Sequence, residues 1–211
     1  MMSVVATSLQ PQLSLFDGGA PGFDGKFEGL KHTELGGGAW IEHLPNWVRG
    51  HESLLETLWS TTRWEHTKRW MYERIVDVPR LYASLPEDGP GHPLLAELAD
   101  ALSSRYGRPL DRISLAAYRD GRDSVAPHGD RLGRHTDDSV VGLVSLGAPR
   151  RFLLRPVGGG PSRAFALGWG DLLVMGGTCQ RAWQHGVPKV ARAGLRISIQ
   201  FRSAAVDGDD D

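Results

Sequence analysis

A single cysteine, Cys179, stands among the 211 residues, so no internal disulfide is available and no Cys-rich zinc site can form. Long hydrophobic runs are also missing. None approaches the ~18 residues that a membrane span needs, and no membrane partner is expected. Residues 1–6 have no basic stretch ahead of an apolar one, so the sequence predicts no secretory signal and a reducing, cytoplasmic setting. Net charge is almost absent, at −1. That figure hides a gradient: no Lys or Arg precedes Lys26, whereas Asp17 and Asp24 do, and Asp207, Asp209, Asp210 and Asp211 close the chain. Without these six acids, the body holds 24 basic and 19 acidic residues. A mildly basic body permits a phosphate-backbone partner without demanding one.

What is there suits a globular chain. Apolar residues make up 40% and charged residues 23%, and a chain of this length forms one domain burying roughly 70% of its unfolded surface. Residues 1–25, rich in Gly, Pro and Gln around Leu13-Ser14-Leu15-Phe16, read as a flexible arm. The folded domain is expected over 26–206 and an acidic tail over 207–211. A short strand is expected over 39–43, and Asn46 is placed as the cap of a helix reaching residue 61, with Leu54, Leu55, Leu58 and Trp59 on one face. The next stretch carries Trp64, Trp70 and Tyr72 and is ended by Pro79. Residues 86–92 read as a loop. Pro93 opens a second helix through Leu94, Leu95, Leu98, Ala101 and Leu102, and Gly107 stops it.

After Arg108 short β-prone runs follow at close intervals: 113–118, 140–145, 152–155, 164–167, 172–175, 182–187 and 196–201. Turn residues separate them. The expected order is helices first, then a β-sandwich or barrel. No internal repeat or oligomer-forming feature is evident, and a monomer is expected.

The strongest local feature is the run from Tyr118 to His128-Gly129-Asp130. A His and an Asp two apart on extended chain point to one side and offer a nitrogen and an oxygen to one ion. A third ligand from a distant strand completes two His and one carboxylate, a set that leaves coordination positions open and suits Fe(II) oxygenases. His185, in Trp183-Gln184-His185, is the best third ligand. A rival pair exists in His135-Thr136-Asp137, and spacing alone does not choose between the two. Arg196, Ser198 and Arg202 share one face of the last strand, where two fixed guanidinium groups suit a dicarboxylate.

In these residues the sequence resembles the AlkB family of Fe(II)/2-oxoglutarate dioxygenases, of the bacterial alkylated-DNA repair type. The resemblance covers about 112–202. It runs in order through Tyr118, Asp120-Gly121, His128-Gly129-Asp130, Ser145-Leu146-Gly147 with Arg150 and Phe152, the run from Gly170-Asp171 to Met175, Trp183-Gln184-His185 with Val187-Pro188, and Arg196 to Arg202. A looser match includes Val78-Pro79-Arg80-Leu81.

The resemblance implies an α+β chain: a double-stranded β-helix (jelly-roll, cupin-like) core over 111–206, with the helical and substrate-lid part at 26–110 packed on one sheet. It implies His128, Asp130 and His185 as catalytic iron ligands, leaving His135 as a loop residue near the substrate. It implies Fe(II) as cofactor, with 2-oxoglutarate and O2 as co-substrates. Arg196, helped by Ser198, is expected on the distal carboxylate of 2-oxoglutarate, Arg202 on the carboxylate beside the metal, and Tyr118 on the co-substrate. The family usually has Asn two residues before this Tyr. Ala116 stands there, so one hydrogen bond is lost or moved, at about 1 kcal/mol, and weaker 2-oxoglutarate binding is expected.

The activity implied is oxidative demethylation of N-alkylated bases such as 1-methyladenine or 3-methylcytosine in single- or double-stranded DNA, with formaldehyde released. RNA, including tRNA, is the alternative polymer, and a binding module without catalysis the alternative class. Trp70, Tyr72 and Tyr82 are the candidate stacking partners for a flipped base. Lys68, Arg69, Arg74, Arg119, Arg122, Arg131, Arg134 and Arg181 are the candidate phosphate contacts. In the arm, Gln12, Leu13, Leu15 and Phe16 look like the pentapeptide by which bacterial proteins dock on the sliding clamp.

Overall fold

A computed structural model describes residues 19–71, 74–89, 91–130 and 138–203, and for 67–71 and 74–77 the backbone only. Arm residues Gln12, Leu13, Leu15 and Phe16 lie outside the described residues, as do Tyr72 and His135.

Fourteen strands and three helices are described. β1 (Gly22–Phe23) pairs with β4 (Val48–Arg49). Eight strands form a large sheet in the order β2 (Lys31–Gly36), β3 (Ala39–Leu44), β12 (Asp171–Gly177), β9 (Ser139–Gly147), β14 (Arg196–Arg202), β7 (Arg112–Tyr118), β6 (Arg74–Leu85) and β5 (Glu65–Met71). Four form a small sheet in the order β11 (Arg163–Leu167), β10 (Arg150–Pro156), β13 (Trp183–Val187) and β8 (Val125–His128). The helices are α1 (His51–Thr61), α2 (Pro93–Tyr106) and the short α3 (Cys179–Ala182).

Both faces of the large sheet are covered, which explains the near-continuous burial of β9 and β12. One face meets α1 and α2 through Leu54, Leu58, Leu98 and Leu102 against Val144, Leu146, Ile197 and Ile199. The other meets the small sheet through Ala116, Tyr118, Val141, Leu143, Leu173 and Met175 against Phe152, Leu154 and Val187. This is the expected jelly-roll with helices on one sheet, and the site lies in the second layer.

α2 follows the sequence signals. Pro93 sits at the start, His92 caps it by accepting the Leu94 N–H at 3.1 Å, and Gly107 ends it at φ +64°. α1 starts later than expected. Asn46 is not its cap: it has φ +51° in the turn after β3, and its N–H donates to Asp171 Oδ1 at 2.9 Å. The helix opens after Gly50, at φ +62°, where a Cβ would meet Gly19 O at 2.8 Å. Trp59 leaves the buried stripe and leans on Trp64, ring centroids 5.7 Å apart.

The expected order of helices followed by strands is corrected at both ends of the large sheet. β2–β3 and β5–β6 extend it, so the amino-terminal half supplies four of its eight strands. Pro79 does not end the segment it was expected to end. It falls where the β5–β6 ladder is irregular, between the pairs Lys68–Asp77 and His66–Leu81, so its missing N–H breaks no rung. The arm is also shorter than expected at its far end. Gly22–Phe23 is paired, and Asp24 O accepts the Trp47 indole N–H at 2.8 Å.

Candidate metal centre

His128 closes β8, and His185 lies directly opposite it on β13. The two rings stand 4.4 Å apart, centroid to centroid. Asp130, just past β8, places Oδ1 3.6 Å from His128 Nε2 and 3.7 Å from His185 Nε2. Among the described residues, this is the one group of three or more such side chains close enough to hold an ion.

Each donor is prepared by a neighbour. His128 Nδ1–H donates to Ala126 O at 2.9 Å, which leaves the Nε2 lone pair facing Asp130. Burial pushes His185 down to about 4, against the pull of Asp130, so its ring is neutral at neutral pH. Burial alone would raise the Asp130 carboxyl, but its surroundings, His128, Arg202 and His185, hold it well below the usual range. Gly129 is needed between the two ligands, because a Cβ there would fall 2.1 Å from Gln180 O. The Gln180 side chain returns to the same loop, its Oε1 accepting the Asp130 N–H at 3.0 Å.

The large sheet contributes the cations. Arg202 donates to Asp130 Oδ2 from Nε at 2.9 Å and NH2 at 2.8 Å, and its NH1 reaches Ser114 Oγ at 2.9 Å. It was expected on the co-substrate; here it grips the free oxygen of a candidate ligand. Arg196 is 1% exposed. Its NH2 donates to Ser145 Oγ at 2.7 Å, while Nε and NH1 are enclosed without a partner. Two buried unpaired donors on a guanidinium fit a carboxylate that no described residue supplies. The donor cluster likewise fits a divalent iron, two imidazoles and one carboxylate being a set that leaves coordination positions open.

Across the large sheet, Tyr82, Ala116, Ser198 and Ser145 form one row on the interior face. Tyr82 is half-buried there, so of the three stacking candidates it is the one the described side chains bring to the interior. Tyr118 lies beside Arg196, whose guanidinium carbon is 5.0 Å from the ring centroid. Trp70 sits on β5 with only its backbone described, as Lys68, Arg69 and Arg74 do on β5 and β6. Arg131 and Arg134 lie outside the described residues. Arg119 and Arg122 pair with Asp123 and Asp120, at 2.8 and 2.7 Å, with both arginine side chains still exposed.

Sequence reasoning missed Gln180, Ser145 as a guanidinium partner, and the inward placing of Arg80. Arg80 Nε is enclosed without a hydrogen bond, and its charge acts on His185. Gln180 stands next to Arg181 in a mixed run, and no local sequence signal marks it.

The family model for the 2OG-Fe(II) oxygenase superfamily matches residues 86–202, more than half of the chain. Human "Alpha-ketoglutarate-dependent dioxygenase alkB homolog 3" is 29% identical over 185 residues, covering 76% of this chain and 64% of that protein. Human "DNA oxidative demethylase ALKBH2" is 30% identical over 122 residues, covering 54% and 47%. The chain thus spans roughly half to two thirds of the length of the curated relatives it matches. Among solved structures, OsALKBH1 superposes with a TM-score of 0.55 at 16% identity, over 82% of this chain and all of that one. An oxidoreductase of the 2OG-Fe(II) oxygenase family from Burkholderia pseudomallei gives 0.53 at 17% identity, over 74% and 82%. These last two likenesses concern the fold.

Proposed function

Since the chain belongs to the 2OG-Fe(II) oxygenase superfamily, and within it to the AlkB family, and so uses Fe(II), 2-oxoglutarate and O2, we propose that it demethylates N-alkylated nucleobases in DNA. The observation that carries this reading is the pairing of the His128, Asp130 and His185 cluster with the buried, half-satisfied Arg196 on the facing sheet. One site thus offers an ion its ligands and a dicarboxylate its anchor.

Iron with 2-oxoglutarate supplies the oxidising power when bound, and the protein supplies binding, orientation and shelter. His128 and His185 present ring nitrogens, and Asp130 presents Oδ1 while Arg202 occupies Oδ2. Arg196, with Tyr118 and Ser198 beside it, orients the co-substrate by its distal carboxylate. Burial of His185 and Arg196 keeps water from that end. No side chain has to act as a nucleophile. A base methylated on its pairing edge pairs weakly and is cheaply flipped into such a pocket, and Tyr82 is the described aromatic on the interior wall. The mildly basic body permits a polyanion, and the name of the ALKBH2 relative points to DNA as the first polymer to test.

The purified chain, given Fe(II), ascorbate, 2-oxoglutarate and single-stranded DNA carrying 1-methyladenine, should return unmodified adenine by mass spectrometry, and a chelated control should not. Repair of the matched RNA alone would move the substrate to RNA. Succinate release without repair of either polymer would end the nucleobase reading.

A further inference from the structure

One buried charge has no part in the chemistry described so far. Arg150, the first residue of β10, is 2% exposed. Its NH1 donates to Asp120 O at 2.9 Å, and its NH2 to Asp123 O at 2.9 Å and Pro188 O at 2.8 Å, while Nε is enclosed without a partner. Its guanidinium carbon stands 5.7 Å from the centroid of the Tyr118 ring, and that of Arg196 stands 5.0 Å from the same centroid. Two buried cations therefore neighbour one phenol ring.

Among the described residues, neither guanidinium is hydrogen-bonded to a carboxylate. Asp120 and Asp123 give Arg150 only their main-chain carbonyls. Their carboxylates are forked by other cations, Asp120 by Arg122 and Asp123 by Arg119. Asp171, the other acid acting on Arg196, spends its oxygens on the N–H groups of Asn46 and Gly168. Burial lowers both arginines from their ordinary values, so the folded chain pays for holding them charged. A buried cation pair of this kind is relieved when an anion arrives.

We propose that Arg150 is a positioning residue of the co-substrate pocket, which sets Tyr118 and the 120–123 turn behind Arg196 and makes the pocket favour a dicarboxylate over a monocarboxylate. This rests on reading the site as a 2-oxo acid pocket beside a metal. Arg150 acts through Tyr118 and Arg196 and through the field it adds at the distal end. Its partners among the described residues, Tyr118 and the carbonyls of Asp120, Asp123 and Pro188, do not include the three candidate metal ligands, so the end that a 2-oxo monocarboxylate shares with 2-oxoglutarate should feel it less.

The test is titration calorimetry of the Mn(II)-loaded chain with 2-oxoglutarate and with pyruvate, for the wild type, Arg150→Gln, Arg150→Lys and Leu98→Ala. Leu98 lies in the helix layer and serves as a control for lost stability alone. Arg150→Gln should weaken 2-oxoglutarate about tenfold or more and pyruvate by less than about threefold, while Mn(II) affinity holds. Arg150→Lys, which restores charge but not the three carbonyl bonds, should recover part of the selectivity. Leu98→Ala should lower Tm and leave the ratio of the two affinities unchanged. Equal weakening of both 2-oxo acids, or an unchanged ratio, would overturn the proposal and leave Arg150 a structural clasp. If Arg150→Gln does not fold, the ratio in Arg150→Lys decides alone. A wild type that binds Mn(II) but shows no preference for 2-oxoglutarate would overturn the pocket reading and this inference together.

Discussion

Arg202 and Asp130, 72 residues apart in sequence, are joined by a two-pronged ion pair, with Nε and NH2 of the arginine 2.9 and 2.8 Å from a single carboxylate oxygen. The pair ties the large sheet to the loop after β8 and leaves Oδ1 for the cluster. Arg202→Met should therefore cost metal affinity, roughly 10- to 100-fold, since it removes the support of a ligand rather than the ligand. Mn(II) titration monitored by electron paramagnetic resonance checks this. Unchanged metal affinity with weakened 2-oxoglutarate would put Arg202 on the co-substrate instead.

Arg196→Met should leave Mn(II) binding near wild type and raise the 2-oxoglutarate requirement by about tenfold or more, because a bidentate, buried contact is lost. The kinetic KM for 2-oxoglutarate, measured with the methylated oligomer in excess, gives the answer. DNA affinity by fluorescence anisotropy should not move.

Gly129→Ala should disturb the centre without touching a ligand. The added methyl would fall 2.1 Å from Gln180 O, so the loop or α3 must shift. A loss of about 1–3 kcal/mol of stability is expected, with metal affinity falling alongside it. Chemical denaturation with and without Mn(II) separates the two losses.

His43 supplies a pH-dependent term away from the centre. Burial lowers it from 6.5, Asp171 opposes, Lys31 adds to the lowering, and its ring stands on Phe165 at 5.5 Å. A depressed histidine takes up its proton more readily in the unfolded chain, so stability is full above about 6.5 and is lost as pH falls below it. His43→Leu should lose less stability than the wild type between about pH 7.5 and about pH 5.5. Parallel slopes for the two proteins in urea denaturation would refute the assignment.

Much of the carboxy-terminal half was legible because its strands are short, apolar and punctuated. The run from β9 to β14 lies where β-prone residues alternate with Gly and Pro turns. The amino-terminal half was misread where two signals competed. Leu54, Leu55 and Leu58 gave a helical period, but Asn46 belongs to a turn, where its backbone N–H donates to Asp171 Oδ1. Pro79 reads as a stop in the sequence, since no local feature shows that a ladder irregularity receives it. In the site, residue types and spacing brought out two rival His–Asp pairs, His185 and the two arginines, and the resemblance to the AlkB family chose His128 and Asp130 over His135 and Asp137. Their partners were not legible, because which donor meets which acceptor depends on the packing of two sheets. Arg202 on Asp130 and Gln180 on the Asp130 N–H are contacts of that kind.

The place of β14 has a consequence for how the enzyme is made. β14 comes after every other described strand in chain order, yet it lies in the middle of the large sheet, between β9 and β7. A ribosome must therefore deliver residue 202 before the two halves of that sheet can be joined. Until then Asp130 lacks its two-pronged pair with Arg202, and Ser145 lacks Arg196, so the clasp on the loop after β8 and the buried guanidinium arrive together with the strand that closes the sheet.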